Sequence, residues 1–178
     1  MLKIISLDDE KSALFAQVDA LYESAFPLHE KRSHSAKIRA LNHANYQLQA
    51  WFDDDLFVGM IGMWHFADYS YIEHLAVNDT LRGQGYGKRM LNQFLQQSSL
   101  TVLEIDPLTT EIAQKRLRFY QSLGFQVNHY PHTHPTYHEH LADHELIVLS
   151  YPRQIEPQQY QHFLTDLCHE VMADSTEI

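Results

Sequence analysis

The amino-acid sequence predicts a mixed α/β domain of the α+β type, with a largely antiparallel central sheet flanked by helices. Two observations support this class. Strand-like and helix-like hydrophobic periods follow one another in the order strand, two helices, three strands, helix, strand, helix, two strands, helix. The chain has 178 residues, of which 44% are hydrophobic and 12% aromatic, which is enough to fill one core. We therefore predict a single domain over residues 1–178.

The first 77 residues are expected to form a strand, two helices and a three-stranded meander. The strand is Leu2–Ser6. Asp8 or Asp9 is a suitable N-cap for a first helix that Pro27 ends, and Ser35–His43 is a second, short helix. Three apolar runs with turn-length connections follow as strands: Tyr46–Phe52, Leu56–Phe66 and Tyr69–Val77.

The remainder of the chain alternates helices with strands. Its predicted elements are, in order, helix Lys88–Gln97, strand Leu100–Ile105, helix Thr110–Leu123, strands Phe125–Tyr130 and Leu141–Tyr151, and helix Glu156–Met172. The last helix, residues 156–172, is expected to be an appendage to the domain.

Charge and composition restrict the classes of partner. A formal net charge of −10 disfavours nucleic-acid binding, which needs a basic face. No apolar run approaches the ~20 residues of a membrane-spanning helix, so no membrane partner is expected. The single cysteine, Cys168, excludes an internal disulfide and fits a reducing, cytoplasmic location. Residues 119–178 carry eight acidic side chains against one basic one, so a cationic ligand suits this part of the chain better than an anionic one.

A glycine-rich loop between a strand and a helix is a candidate anion site. Residues 78–87 read N-D-T-L-R-G-Q-G-Y-G and run directly into the helix that begins near Lys88. The free N–H groups of a helix N-terminus bind anions, and glycines let the backbone approach closely. A Walker A loop is excluded because three residues, not four, separate Gly83 from Gly87. A dinucleotide fingerprint is disfavoured because the glycines run G-x-G-x-G after an antiparallel meander.

Two motifs, in a fixed order, indicate a family. The first is R-x-x-G-x-G, here Arg82–Gly87, preceded by Leu75–Val77 at the end of a strand; the second is F-Y-x-x-x-G-F, here Phe119–Phe125. Together they resemble the GNAT superfamily, the acyl-CoA-dependent N-acyltransferases. The resemblance covers about residues 1–150 in element order. It implies a sheet of about seven strands and acetyl-CoA as co-substrate, and we expect no metal.

The resemblance also implies cofactor contacts at matched positions. The pantetheine amides would pair with the backbone of Leu75, Ala76 and Val77. The pyrophosphate would lie against the glycines Gly83, Gly85 and Gly87 and the N–H groups of Gln84, Tyr86 and Lys88. Positive charge would come from Arg82 and Lys88.

Acyl transfer to an amine requires a base, an oxyanion donor and an acid for the leaving thiolate. The resemblance implies Tyr120 as the acid and an N–H group near Leu75 as the oxyanion donor. Glu73 is the candidate base, because it interrupts an apolar strand and partial burial would raise its pKa. Regular alternation would place it on one face with Tyr71 and Leu75, and His74 on the other.

Other interpretations of these residues stay open. Tyr120 can be a core aromatic residue, and Glu73 can face solvent. Glu104 and Asp106, at the end of the next strand, could instead polarise a water molecule toward the amine. The superfamily often has an asparagine near this point that touches the cofactor; Asp106-Pro107 stands there in this chain, so that contact is not carried over.

Residues 129–140 are rich in histidine. Two H-x-H pairs, His132/His134 and His138/His140, could bind Zn²⁺ or Ni²⁺. Because no Cys or Asp cage accompanies them, we favour an exposed, polar loop. In the resembled fold this segment borders the acceptor pocket, so Tyr137 and nearby histidines would contact the acceptor. Phe26–Arg32 would form the opposite wall.

The sequence thus predicts an N-acetyltransferase that moves an acetyl group from acetyl-CoA to a small-molecule or peptide amine by direct attack. We expect a monomer or a homodimer. Two hypotheses from other classes stay open: an acyl-CoA-binding regulatory module without turnover, and a metal-binding protein built on the histidine loop. Thioester consumption in the presence of amines separates the first from the enzyme, and metal analysis tests the second.

Overall fold

A seven-stranded sheet organises the computed structural model, which describes residues 1–173. The strands within that range are β1 (Lys3–Leu7), β2 (Tyr46–Asp53), β3 (Leu56–His65), β4 (Ser70–Val77), β5 (Thr101–Ile105), β6 (Gln126–Val127), β7 (Thr133–His134), β8 (His144–Glu145) and β9 (Ile147–Tyr151). The large sheet has the order β1-β2-β3-β4-β5-β9-β6, and β7 and β8 form a separate pair. In the large sheet only β4 and β5 are parallel. The predicted fold class, a mixed α/β fold with a mostly antiparallel sheet, is confirmed.

The helices of the described residues are α1 (Ala13–Ala25), α2 (His34–Leu41), α3 (Tyr86–Leu95), α4 (Glu111–Gln121) and α5 (Pro157–Asp166). The predicted C-terminal helix is present, but its last part, Leu167–Val171, is a π-helical turn. Helices α1, α3 and α5 bury large apolar residues in the core, among them Val18 from α1, Leu91 from α3 and Phe163 from α5. Over residues 1–173, no helix combines the length and the apolar character needed to cross a bilayer.

The first helix begins later than predicted. The Ser12 side chain accepts a hydrogen bond from the Phe15 N–H at 3.1 Å and is the N-cap, so the prediction of Asp8 or Asp9 is wrong. Asp9 instead accepts hydrogen bonds from Ser12 and from the Lys11 N–H, and thereby shapes the turn ahead of the helix. Both residue types suit a cap, and sequence alone did not separate them.

The two strands around the histidine-rich segment are shorter than predicted. Phe125–Tyr130 reduces to β6, and Leu141–Tyr151 divides into β8 and β9. Beyond β6, the Asn128 side chain donates to the Val148 carbonyl at 3.2 Å and to the Ser150 hydroxyl at 2.8 Å. A side-chain amide thus takes over contacts to β9 where the regular β6 ladder ends.

β4 and β5 are paired over two residue pairs only. Ser70 pairs with Thr101 and Tyr71 with Val102, and the strands then diverge. Residues 72–77 of β4 have no strand partner on this side within the described chain. Because a strand points N–H and C=O groups to both sides, part of this backbone is open to a ligand.

β4 also contains a β-bulge at Glu73. The register between β3 and β4 shifts at this residue, which has no partner in β3. The extra residue reverses the alternation beyond it, and Leu75 and Val77 pack in the same cluster as Ile72. The prediction that Glu73 shares a face with Leu75 is therefore wrong, because it assumed unbroken alternation.

Gly59 of β3 is a position where we expect even a methyl group to destabilise the fold. A Cβ there would overlap the Ala76 carbonyl oxygen of β4, a backbone atom that cannot rotate away. Gly59→Ala should lower the free energy of unfolding by about 2 kcal/mol, measured by urea unfolding. Gly62→Ala is the matched control, because its Cβ would meet the Tyr46 hydroxyl at 2.6 Å, the end of a rotatable side chain. Equal losses in the two variants would contradict this account.

Candidate active site

The gap between β4 and β5 opens into a cavity of about 880 Å³. Its walls come from the end of α1, β4, the glycine-rich loop, β5, α4 and the segment 134–146. Both predicted catalytic residues and all but one of the predicted cofactor residues line it: Glu73, Leu75, Ala76, Val77, Arg82, Gly83, Gly85, Tyr86, Gly87, Lys88 and Tyr120. The fold therefore brings the two sequence motifs together around one space.

The glycine-rich loop presents an uncapped helix N-terminus to this cavity. Gly83 and Gly85 have φ values of 77° and 82°, in the left-handed region that favours glycine. Gly85 is the N-cap of α3 and no side chain caps the helix. The N–H groups of Tyr86, Gly87 and Lys88 have no acceptor among the described residues. A Cβ added to Gly83 or Gly85 would meet nothing within 4 Å, so the loop offers both donors and room for an anion.

Gln84 differs from the rest of the loop. Its N–H donates to the Leu81 carbonyl at 3.3 Å, and its side-chain amide donates to the Thr80 carbonyl at 3.2 Å. It is also the one predicted cofactor residue that does not line the cavity. The Gln84 N–H group, which the family resemblance implies as a pyrophosphate donor, is therefore already used within the local turn.

Three cationic side chains line the cavity: Arg82, Lys88 and Arg116. Arg82 pairs with Asp79 at 2.7 Å and Arg116 with Asp106 at 3.3 Å, while Lys88 has no ion-pair partner among residues 1–173. Exposed pairs of this kind contribute little energy, so these cations can turn toward a polyanion. Arg116 was not predicted from the sequence, although it lies on the helix that carries the second motif.

Tyr120 lines the cavity from α4 with a free hydroxyl. Its ring packs edge-on against Phe119 and Phe125, with centroids 5.3 and 5.5 Å apart. Within the described chain, no group forms a hydrogen bond with the hydroxyl. Burial raises the pKa of Tyr120, and the Arg116 charge opposes this shift only in part. The phenol is therefore protonated at neutral pH and can donate a proton.

Glu73 does not have the environment predicted for a base. Its side chain has no exposed surface. It accepts hydrogen bonds from Arg32 Nε at 2.8 Å, the Trp64 indole at 2.7 Å and the Tyr137 hydroxyl at 3.0 Å. Burial alone would raise the pKa, but the Arg32 charge and the donors outweigh burial and lower it to about 2. The predicted raised pKa is wrong, and a carboxylate this acidic and this fully engaged is a poor proton acceptor.

Arg32 connects Glu73 with the C-terminal segment. Its Nη2 donates to the Val171 carbonyl at 2.6 Å. The guanidinium lies 5.7 Å from the ring centroid of Trp64 and 5.6 Å from that of Tyr137. The sequence predicts Arg32 only as the last residue of a pocket wall, because no local pattern distinguishes a buried arginine from its exposed neighbours.

The wall expected from residues 26–32 is present in its first part. Phe26, Pro27 and Glu30 line the cavity. Behind them, the His74 ring packs edge-on against Phe26 and Tyr22, with centroids 4.8 Å apart in both cases. His74 Nε2 donates to the Glu30 carbonyl at 2.7 Å. This packing fixes the wall against β4.

Glu104 lies in the part of the cavity nearest the histidine-rich segment. Its carboxylate accepts hydrogen bonds from the Tyr71 hydroxyl and, at 2.5 Å, from His132 Nε2. His134 Nε2 is 4.0 Å from the other carboxylate oxygen. Burial opposes the charged form of Glu104, but the two histidines and Tyr71 outweigh it and lower the pKa. Glu104 is therefore an anion at neutral pH.

The histidine-rich segment is not uniformly the exposed loop that the sequence predicts. His132 and His134 are buried, with rings 5.6 Å from Phe163 and 5.2 Å from Tyr137 respectively, whereas His140 is exposed. Tyr137 lines the cavity. Over residues 1–173, no group of three or more His, Cys, Asp or Glu side chains is arranged to hold a metal ion.

Comparison with known proteins agrees with this geometry. Residues 46–127 match the family model described as an acetyltransferase (GNAT) domain. The chain is similar to the solved structure of a GNAT-family protein from Bacteroides thetaiotaomicron, with 26% identity and a TM-score of 0.89 over 95% of this chain and 97% of that one. No curated protein sequence matches the chain.

Two more distant structures share the fold at 18% identity. One is the ribosomal-protein-S18-alanine N-acetyltransferase of Escherichia coli, with a TM-score of 0.59 over 89% of this chain and 97% of that one. The other is Naa50 of Arabidopsis thaliana in complex with the bisubstrate analogue CoA-Ac-MVNAL, with a TM-score of 0.59 over 86% and 99%.

Glu73→Gln is expected to destabilise the fold. The neutral amide leaves the Arg32 guanidinium buried without a counter-charge, which should cost about 3 kcal/mol of unfolding free energy, measured by urea unfolding near neutral pH. Glu111→Gln is the matched control, because Glu111 pairs with Lys115 on the surface, where such pairs are worth under about 1 kcal/mol. A loss no larger than that of the control would contradict the importance of the buried pair.

The same carboxylate should give stability a defined pH dependence. Folding lowers the pKa of Glu73 from 4.5 to about 2, so the folded state binds this proton less readily than the unfolded state. The stabilisation is therefore complete above about pH 4.5 and is lost as the pH falls toward 2. The difference in unfolding free energy between wild type and Glu73→Gln should narrow below about pH 4.5. If the difference in unfolding free energy between wild type and Glu73→Gln stays constant below about pH 4.5, the low pKa of Glu73 is excluded.

Proposed function

We propose that this chain, which belongs to the GNAT superfamily by its fold and by residues 46–127, transfers an acetyl group from acetyl-CoA to an amine. One observation carries the proposal: a single cavity contains an uncapped helix N-terminus, an unpaired strand edge and a free tyrosine hydroxyl. Each of these suits one part of an acyl-CoA thioester or one step of its reaction.

Acetyl-CoA would bind along the gap between β4 and β5. Its pyrophosphate would accept hydrogen bonds from the N–H groups of Tyr86, Gly87 and Lys88, with Arg82 as a further positive charge. Its pantetheine amides would pair with the backbone of residues 75–77, which has no strand partner on that side within the described chain. The cofactor would thus be recognised mainly by the backbone.

The proposed reaction is direct attack on the thioester. The lone pair of a neutral amine forms a bond to the carbonyl carbon, and an N–H group near Leu75 would stabilise the oxyanion. The C–S bond then breaks, and Tyr120 gives its proton to the departing thiolate. The nitrogen loses one proton to solvent, and Tyr120 takes one back from solvent, so an amide and a free thiol are the products. The raised pKa of Tyr120 keeps that proton in place until the thiolate forms. Glu73, with its low pKa and its three donors, is not assigned the role of base.

The acceptor is proposed to be a small-molecule or peptide amine. The E. coli protein is named for the alanine of ribosomal protein S18, and the A. thaliana structure contains the bisubstrate analogue CoA-Ac-MVNAL. The acceptor end of the cavity contains the Glu104 carboxylate beside Tyr137, which suits a cationic amine. A cytoplasmic location, a monomeric or homodimeric state, and the absence of nucleic-acid and membrane partners are proposals from composition alone.

We expect acetyl-CoA to bind the wild type and to raise its melting temperature. Gly85→Ala should weaken binding about tenfold or more, because the methyl group strains a left-handed φ and occupies the open space at the helix N-terminus. Isothermal titration calorimetry measures the Kd. Gly124→Ala is the matched control, since Gly124 has a φ of 96° but does not line the cavity. Failure of the wild type to bind acetyl-CoA would exclude the proposed function.

Turnover is expected with at least one amine in a panel of polyamines, amino acids, aminoglycosides and peptides, followed by detection of the free thiol. Tyr120→Phe should lower kcat about 100-fold while acetyl-CoA affinity and stability are kept. Tyr151→Phe is the control, because its ring packs on Phe125 at 5.7 Å outside the cavity. An unchanged kcat in Tyr120→Phe would remove this residue from the mechanism.

The same panel tests the alternative functions. Binding of acetyl-CoA with no thioester consumption by any amine would favour a regulatory acyl-CoA-binding module. Stoichiometric metal in the untagged protein would favour the metal-binding alternative.

A further inference from the structure

One imidazole in the cavity is arranged to accept a proton. The His134 side chain lines the cavity and is 3% exposed. Its Nδ1 lies 2.6 Å from the Pro135 carbonyl oxygen, which can only accept, so Nδ1 carries the hydrogen. In the neutral ring the lone pair is then on Nε2. Among the described residues this Nε2 is buried and has no hydrogen-bond partner.

The two other buried histidines of residues 1–173 have different surroundings. His74 Nε2 donates to the Glu30 carbonyl at 2.7 Å, and its Nδ1 faces a carboxylate 3.8 Å away. His132 Nε2 is 2.5 Å from Glu104, and its Nδ1 is 2.9 Å from a tyrosine hydroxyl. Of the three buried histidines, only His134 has a fully buried ring nitrogen that lacks a hydrogen-bond partner among the described residues.

A fixed anion stands beside this lone pair. The 4.0 Å between His134 Nε2 and Glu104 Oε1 is too long for a hydrogen bond, but it admits one nitrogen atom at about 2.8 Å from both. Tyr71 and His132 hold the carboxylate in place. A positively charged donor between the two groups would satisfy both acceptors.

We propose that His134 is the catalytic base and that Glu104 binds the acceptor in its ammonium form, an inference that rests on the proposed function. An alkylammonium group between them donates one hydrogen to Glu104 and another to His134 Nε2. When that second proton moves to His134, the neutral amine attacks and the C–N bond forms.

The remaining protons balance. The electron pair of the broken C–S bond leaves with sulfur, which takes the Tyr120 proton. The second proton lost by the nitrogen returns to Tyr120 through solvent, and His134 releases its proton to solvent. One proton is therefore released for each amide formed.

The geometry also specifies the acceptor class, a primary alkylamine that is charged at neutral pH. The other titratable groups that face His134 are Tyr137 and His144, with ring centroids 5.2 and 6.4 Å away, and His74, which interacts with it electrostatically. None of these carries a negative charge. The cavity also contains the carboxylates of Glu30, Glu73 and Asp106, which lie against His29, Arg32 and Arg116 respectively. Glu104, 4.0 Å from His134 Nε2, is therefore the anion placed to bind an ammonium ion beside this imidazole. An alcohol or an aromatic amine would not gain this attraction.

His134→Asn tests the base, because an asparagine amide can still donate to the Pro135 carbonyl while the Nε2 lone pair is lost. His140→Gln is the matched control, an exposed imidazole in the same segment. Both variants are assayed with acetyl-CoA and the best alkylamine of the panel, with spermidine as the reference. The measurements are kcat/KM as a function of pH and the rise in melting temperature on adding acetyl-CoA.

We expect His134→Asn to lower kcat/KM about 100-fold at neutral pH. The rise in melting temperature on adding acetyl-CoA should be the same as in the wild type. The loss of kcat/KM relative to the wild type should become smaller as the pH approaches the pKa of the amine, about 10, because neutral amine is then present in solution without the help of a base. His140→Gln should match the wild type throughout.

Equal activity of His134→Asn and His140→Gln at neutral pH would overturn the base role and leave the proposed function standing. A loss of kcat/KM in His134→Asn that has the same size at every pH would also overturn the base role, because that result indicates a structural role. If His134→Asn does not fold, His134→Gln is measured in the same way. Acetyl-CoA binding without turnover of any amine by the wild type would overturn the transferase function, and the base role with it.

Discussion

The buried ion pair between Arg32 and Glu73 is the contact on which the end of the cavity nearest the histidine-rich segment depends. It joins the segment after α1 to the bulge of β4 and, through the Val171 carbonyl, to the end of the C-terminal segment. Trp64 and Tyr137 contribute rings that lie against the guanidinium. Because neither charge can be left alone in a nonpolar interior, these distant parts of the chain must reach their positions together. The appended C-terminal segment is therefore part of the support of the site.

The two ends of the cavity differ in chemistry. At one end, backbone N–H groups of the glycine-rich loop and the exposed cations Arg82 and Lys88 suit a polyanion. At the other end, the anionic Glu104 lies between two imidazoles, which suits a cation. Tyr120 lines the same space. A negatively charged thioester and a positively charged amine would each be attracted to a different end, so electrostatics alone would orient the two substrates.

The sequence predicted what depends on short stretches of chain. The meander, the glycine-rich loop and the tyrosine of α4 follow from local periodicity, turn chemistry and two short motifs. It did not predict the bulge at Glu73, because an extra residue in a strand is visible only against its partner strand. The burial of Arg32, and of His132 and His134, was also missed, since it arises from contacts between segments far apart in sequence. The low pKa of Glu73 follows from the same contacts, so the predicted base could not be assessed from the sequence.

The divergence of β4 and β5 has a consequence for how this chain can change. If the cofactor pairs with the backbone of residues 75–77, recognition there uses groups that every amino acid carries. Side chains along that strand can then be exchanged while the cofactor is still bound. The opposite end of the cavity has no such freedom, because it is lined by individual side chains such as Glu104 of β5 and Tyr137 of the histidine-rich segment. Under the proposed function, substitutions at Tyr137 and its neighbours would change which amine is accepted and leave the binding of the acyl donor intact, which makes this segment a suitable place for engineering.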